Sequence, residues 1–172
     1  MNRILTYRLP TLEDRDALCA YVEEHYTNGE HSISASMHLT SMGYDDWVAQ
    51  INRNAEVPNG DWGRSYTLLC FGGEKLVGLL SIRFELTEEL IKKYGHIGYG
   101  VRPGERRKGY ASAMLRYALL ICREKGLKQI EAGCFRENEA SAKTLIRNGG
   151  KLVRESEDCS EGKMSQYYLF EL

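Results

Sequence analysis

The amino-acid sequence predicts an α/β domain whose sheet mixes antiparallel and parallel strands. Three features predict it: strand-like apolar segments on either side of a glycine pair at 72–73, a helical apolar period over 109–124, and alternating strand-like and helix-like segments from residue 96 onward. Strands joined by tight turns become antiparallel neighbours, whereas strands joined through helices can lie parallel. A chain of 172 residues, 42% hydrophobic and 27% charged, matches one globular domain, residues 1–172, that buries a core without disulfide staples.

The first expected element is a strand over residues 3–9. Thr11-Leu-Glu-Asp14 then has the form of a capping box, in which the Thr11 hydroxyl and the Asp14 carboxylate satisfy each other's backbone donors. A helix with Leu12, Leu18, Cys19 and Val22 on its apolar side follows and fades near Asn28-Gly29. Residues 29–42 are rich in Ser, Thr and His without periodicity, which predicts an irregular segment. A second helix is expected over 44–55, where Trp47, Val48 and Ile51 recur at helical spacing. Past Val57-Pro-Asn-Gly60, strands at 65–71 and 75–86 flank Gly72-Gly73, read as a two-residue hairpin turn. A further strand covers 96–101 and stops before Pro103. Ala111, Met114, Leu115, Ala118, Ile121 and Cys122 make the clearest helical stripe, over 109–124, ended by Gly126. A strand at 128–135, a helix at 139–148 stopped by Gly149-Gly150, and a closing hairpin of 151–155 with 164–172 complete the chain. The tally is about seven strands and about four helices.

Composition excludes several function classes. Lys and Arg number 23 against 24 Asp and Glu, whereas a dedicated nucleic-acid binder carries a basic excess to match the phosphates. The longest apolar runs, 76–82 and 117–122, fall far short of the ~20 residues that span a bilayer. The N-terminal stretch lacks the apolar core of a secretory signal, so a cytoplasmic protein is expected. Five cysteines, at 19, 70, 122, 134 and 159, form no C-x-x-C pair, and neither a disulfide framework nor a metal site is expected.

The segment that carries chemistry runs Gly98-Tyr-Gly-Val-Arg-Pro-Gly-Glu-Arg-Arg-Lys-Gly-Tyr-Ala111. A strand ends, a short basic loop follows, and a long helix begins at once. The first amides of that helix have no partner within it and its N-terminus carries partial positive charge, which together suit a phosphate or pyrophosphate. Gly109 has no Cβ to strike such a ligand, and Arg106, Arg107 and Lys108 add positive charge at the mouth. Gly104 and Gly109 have P-loop spacing, but Tyr110-Ala111 stands where the Lys and the Ser or Thr would be required. No G-x-G-x-x-G opens a helix either. Taken alone, the basic run also reads as a solvated helix start and Gly109 as a turn residue.

Arg106-x-x-Gly109-x-Ala111, directly after a strand and opening a helix, resembles the acetyl-CoA signature of the GNAT family of N-acetyltransferases. Asn138-Glu-Ala-Ser141 is similar to the start of that family's second motif, and a Gly149-Gly150 pair and a Tyr-rich last strand follow in the family's order. The likeness covers roughly residues 66–172 and is nearest to a group of small bacterial acetyltransferases. It implies a mixed, mostly antiparallel central sheet of about seven strands flanked by about four helices, with a bulge or splay at the strand ending near Val101. It also divides the domain into acceptor-side helices at 1–60 and an acetyl-CoA-binding core at 64–172. By the same resemblance, the loop of Arg106, Arg107, Lys108, Gly109, Tyr110, Ala111 and Ser112 holds the CoA pyrophosphate. Tyr99, Gly100 and Val101 then line the pantetheine arm, and Asn138 and Ser141 approach the same region. Asn138 also suits a helix N-cap.

The implied activity is transfer of the acetyl group of acetyl-CoA to a primary amine by direct attack on the thioester, with a backbone N–H of Val101 or its neighbour polarising the carbonyl. No metal, nucleic acid or membrane is implied, and the protein is expected as a monomer or homodimer. The family's general-acid Tyr is absent: Leu145 stands at its position, so either Tyr168, Tyr167 or Tyr110 substitutes or the thiolate leaves unprotonated, a tolerable leaving group at a thiol pKa of ~8.5. The base often projects from the head of the strand that ends at the CoA loop, which nominates His96 with Glu85 in reserve. Small soluble amines are the preferred acceptors, with a protein N-terminus or lysine as the alternative. Two rival readings remain at this stage: a CoA- or acyl-CoA-binding module without turnover, and a nucleic-acid contact through the basic loop.

Overall fold

Seven strands form one sheet in the order β1-β2-β3-β4-β5-β7-β6, as described by a computed structural model of residues 4–158 and 162–172. The strands are β1 (Leu5–Arg8), β2 (Ser65–Gly72), β3 (Lys75–Arg83), β4 (Ile97–Val101), β5 (Gln129–Phe135), β6 (Lys151–Asp158) and β7 (Lys163–Glu171). Five helices accompany them: α1 (Arg15–Thr27), α2 (Tyr44–Glu56), α3 (Glu88–Tyr94), α4 (Tyr110–Glu124) and α5 (Glu139–Arg147). Every neighbouring pair of strands is antiparallel except β4 and β5. Cys159 lies outside the described residues.

The expected architecture holds, with local corrections. Gly72 pairs with Lys75, so the hairpin turn is Gly73-Glu74 rather than Gly72-Gly73, with Gly73 at φ +67 supplying the left-handed turn. Strand β3 stops at Arg83, and the segment read as its end leads into a short helix the sequence reading missed. The signals for α3 were present, Thr87 before two acidic residues and Gly95 at φ +68 after the last turn, but seven residues carry too little periodicity to show. The Thr11–Asp14 box is built as expected, although it opens a 3₁₀ turn ahead of α1. Asp14 accepts from the Thr11 N–H at 2.8 Å and from both Arg8 Nη atoms at 2.7 and 2.6 Å, so one buried carboxylate ties β1 to the helix start.

Each face of the sheet is covered. Met114, Leu115, Ala118 and Cys122 of α4 and Leu145 of α5 pack on Leu80, Ile82, Ile97 and Ile130. Leu18 and Tyr21 of α1 and Trp47 and Ile51 of α2 pack on Leu69 and Leu79 of the opposite face. The two clusters meet through the alternation of β2 and β3, whose residues are buried on both sides. The sheet therefore holds β4 between a layer of α4 and α5 on one face and a layer of α1 and α2 on the other.

Candidate active site

Two parallel strands that touch at one point create the cleft. Strands β4 and β5 share the single pairing Ile97↔Ala132 and then diverge. On its other edge β4 keeps an unshifted ladder with β3, from Ile82↔Ile97 to Gly78↔Val101, so the opening comes from splay on the β5 side. Arg102 N–H donates to Val77 O on β3 at 2.8 Å. Alternation along the strand then turns the backbone of Tyr99 and Val101 away from β3, into the gap. An extended chain laid between the strands would meet those groups.

The loop at the open end leads into α4. Its N-cap, Gly109, has φ +83 and ψ 4, a left-handed conformation that favours glycine, and no protein atom lies within 4 Å of where a Cβ would stand. The close-approach reading of Gly109 thus gains a second reason: the backbone conformation itself requires it. Arg107 also has positive φ, +63. Ala111 and Ser112 sit in the first turn, where a helix offers its amides no internal acceptor. Ser112 Oγ in addition accepts from Asn148 Nδ2 at 2.8 Å, tying α4 to α5.

The basic side chains are less available than their sequence suggests. Arg106 forks onto Glu30, both contacts at 2.6 Å, and its Nε donates to Val101 O at 3.1 Å. Lys108 joins Lys75 on Glu105, at 2.9 and 2.6 Å. The Arg106 guanidinium pulls the Glu30 carboxyl down to about 2, and Lys108 with Lys75 does the same to Glu105. Arg106 and Lys108 therefore shape the loop, and Arg107 is the exposed cation of the three without an ion pair among the described residues.

On the α5 side, Asn138 Oδ1 accepts from the Ser141 N–H at 3.1 Å, the N-cap expected of it. Ser141 Oγ in turn meets Tyr99 Oη at 2.8 Å, linking β4 to α5 beside the gap. Burial raises the Tyr99 hydroxyl to about 12. Leu145 is fully buried in the core, so nothing at that position can donate a proton. The tyrosines separate clearly. Tyr168, paired with Ala132, is buried on the Leu145 face, and its hydroxyl donates to Gln166 Oε1 at 3.1 Å, raised first by burial and then by Cys134. Tyr167 Oη donates to Lys93 O at 2.6 Å, and the Tyr110 hydroxyl packs 3.1 Å from the Cβ position of Gly72, at the far end of β2.

Both expected bases already have hydrogen-bond partners. His96 is 6% exposed, and its Nδ1 accepts the Glu131 N–H at 3.0 Å. That bond places the ring proton on Nε2 and occupies the lone pair a base would use. Burial lowers its pKa further, so His96 is a neutral strut between β4 and β5. Glu85 is held by Arg64 through Nε, Nη2 and the backbone N–H, and those bonds keep its carboxyl below the usual range. It is a turn anchor, ionised and already paired.

The face of β4 opposite α4 is covered by the irregular segment before α2. Ser34 O lies 3.0 Å, and Tyr21 Oη 3.4 Å, from where a Cβ on Gly100 would stand. Trp47 Nε1 donates to Ser36 O at 3.0 Å and to Met37 O at 3.1 Å, pinning the segment against the sheet. Ala35, Met37 and His38 all have positive φ, a strained run held by this packing. Behind it a cavity of about 160 Å³ is lined by Met37, His38, Asn54, Trp62, Ser65 and Arg83, among others. His38 and Arg83 were not singled out from the sequence; the His-rich, aperiodic composition of residues 29–42 was the available signal. A wider depression of about 470 Å³ beside Glu24 and Arg106 lies behind the loop, where both charges are already paired.

A mixed sheet opened between two parallel strands at a helix N-terminus, with a cavity on its other face, has the architecture of an acetyl-CoA-dependent acyltransferase. The profile of the acetyltransferase (GNAT) domain matches residues 5–151, and the chain belongs to that family. Among solved structures it is similar to YncA, a putative acetyltransferase from Salmonella typhimurium with acetyl-CoA, at TM-score 0.69 and 14% identity, covering 98% of this chain and 94% of that one. It is also similar to the microcin C7 self-immunity acetyltransferase MccE in complex with acetyl-CoA and AMP, at TM-score 0.71 and 18% identity over 99% and 94% of the two chains. RimL, a ribosomal L7/L12 α-N-protein acetyltransferase in complex with CoA, gives TM-score 0.71 and 19% identity over 98% and 94%. No curated protein matches the chain. Among the described residues no helix is long and apolar enough to cross a membrane.

Proposed function

We propose that the protein transfers the acetyl group of acetyl-CoA to a primary amine of a small molecule, by direct attack of the amine on the thioester. The splay of β4 from β5 carries this reading, because it joins an open strand edge to a helix N-terminus, with Arg83 of a nearby cavity placed beside Gly98 of the same strand. The residues present fit the co-substrate: space is open over Gly109, and the backbone of Tyr99 and Val101 faces the gap. Acetyl-CoA supplies the activated carbonyl. Amides of the 106–112 loop hold its pyrophosphate, Tyr99, Ser141 and Asn138 wall the pantetheine arm, and the Val101 N–H donates to the thioester oxygen as charge develops there.

The ammonium must lose a proton before attack. With His96 and Glu85 committed elsewhere, His38, which lines the cavity, takes that role. Tyr168, which shares the core cluster of Leu145, returns a proton to the departing thiolate. The buried Leu145 favours a second reading, a CoA-binding module without turnover. RimL, which acts on a protein N-terminus, keeps a protein acceptor as the alternative substrate. Thiol release from acetyl-CoA in the presence of pooled amines, with mass detection of the acetylated product, tests the proposal. Binding of CoA without thiol release would refute transfer.

A further inference from the structure

The cavity between α2 and the end of β3 is lined by a cation, Arg83, that no carboxylate neutralises among the described residues. Arg83 stands at the end of β3, opposite the head of β4, and its Nη atoms come within 3.8–3.9 Å of where a Cβ on Gly98 would stand. Its Nε donates to Gly95 O and its Nη2 to Tyr94 O, both at 3.2 Å. Nη1 has no hydrogen-bond partner, and no carboxylate pairs with the group, among the described residues. Burial draws its pKa down to about 10, the mark of a desolvated charge without a counterion. None of the residues lining the cavity is acidic, while Asn54, Asn59, Gln50 and Ser65 add neutral hydrogen-bonding groups. The other half-buried arginines, Arg64, Arg102 and Arg154, each sit on a carboxylate, and Arg83 is the one of that group that does not among the described residues.

We propose that Arg83 is the recognition site for a carboxylate on the acceptor, so that the substrate is an amine that also carries a carboxylate, as an amino acid does. This rests on the acetyltransferase reading above. A guanidinium with a free Nη–H and neutral amide neighbours is the donor set that holds a carboxylate. Gly98 leaves room for it above the strand, and Gly98 is two residues from the Gly100 backbone beside the gap, so a small molecule bound at Arg83 reaches the thioester with its amine. A site without acidic residues repels no carboxylate and offers nothing to hold a polyamine. The cavity volume, about 160 Å³, matches the head of a small molecule rather than a folded segment.

The test compares free L-amino acids with the same amino acids as carboxamides, in a thiol-release assay on the wild-type protein. The acids should be better substrates in kcat/KM by about tenfold or more, chiefly through KM. Arg83→Gln should erase that preference, and Arg83→Lys should restore part of it. Short peptides with an acidic second residue, set against their amidated forms, form a separate arm. Preference confined to that arm places the carboxylate on a peptide, and preference confined to free amino acids places it on a metabolite. Equal rates for acids and amides in both arms would overturn the carboxylate site while leaving acetyl transfer intact. If no amine releases thiol although acetyl-CoA binds, the transferase reading fails instead. The carboxylate site is then decided by thermal stabilisation with N-acetylglycine against N-acetylglycinamide, in wild-type and Arg83→Gln protein. Because the acid-versus-amide comparison needs no variant, misfolding of Arg83→Gln leaves the proposal decidable.

Discussion

Replacing Gly109 with valine probes the loop at the head of α4 most directly. Gly109 sits at φ +83, where an L-residue with a side chain costs ~1–2 kcal/mol and a β-branched one more. No protein atom stands within 4 Å of the added Cβ, so the penalty is conformational and no clash contributes. If the loop holds its shape, that strain appears as lost stability, roughly 2–4 °C in Tm per kcal/mol for a chain of this size. The strain is smaller than the cost of breaking α4, so relief comes by turning the loop and displacing the amides of Tyr110, Ala111 and Ser112. The added methyl groups also enter the space where the pyrophosphate would lie. The expected result is a fall in CoA affinity of about tenfold or more, about 1.4 kcal/mol, with a lowered Tm. Gly109→Asn, which tolerates the left-handed region, should lose less of both. Calorimetric titration with CoA and thermal melts of the three proteins read the outcome. A folded Gly109→Val protein that binds CoA as the wild type does would refute the placement of the pyrophosphate.

Other outcomes follow from the same geometry. His38→Gln should lower kcat/KM for the amine by roughly 10²-fold with acetyl-CoA affinity unchanged, whereas His96→Ala should lower stability by ~1–3 kcal/mol by leaving the Glu131 N–H unpaired. Steady-state kinetics and denaturant unfolding separate the two, and the reverse pattern would return the base to His96. Tyr168→Phe should slow turnover while leaving the KM for acetyl-CoA and the far-UV spectrum unchanged; wild-type kcat would exclude Tyr168 as the proton donor. Glu30 and Glu105, whose carboxyls are held at about 2 against 4.5 unfolded, contribute stability that is complete above about 4.5 and is lost as pH falls towards about 2. Urea unfolding across that window should show the decline, and Glu105→Gln should flatten it; an unchanged slope would show that the Lys75 and Lys108 pairings carry no net stability.

Local rules sufficed for much of the molecule. The period of Met114, Leu115, Ala118 and Cys122 wrote α4 into the sequence, and the ordered motif of Arg106, Gly109 and Ala111 resembled an acetyl-CoA signature. Asn138 read correctly as a cap because capping involves residues a few positions apart. Partners distant along the chain were the hidden part. Glu30 disarms Arg106 from 76 residues away, Arg64 occupies Glu85 across 21, and the Glu131 amide fills the His96 lone pair across 35. A charge or an imidazole is available for chemistry only if no such partner reaches it, and sequence spacing carries no record of that. The same logic left Arg83 unnoticed: a single arginine at a strand end is ordinary until the fold closes a cavity over it without a carboxylate. The sequence by itself thus determined most of the elements, α4 above all, because these depend on neighbours within a few residues, while the resemblance to a family supplied the expected ligand. Which polar groups remain free to act was decided by tertiary structure alone, because hydrogen bonds between distant segments settle the protonation and availability of each one.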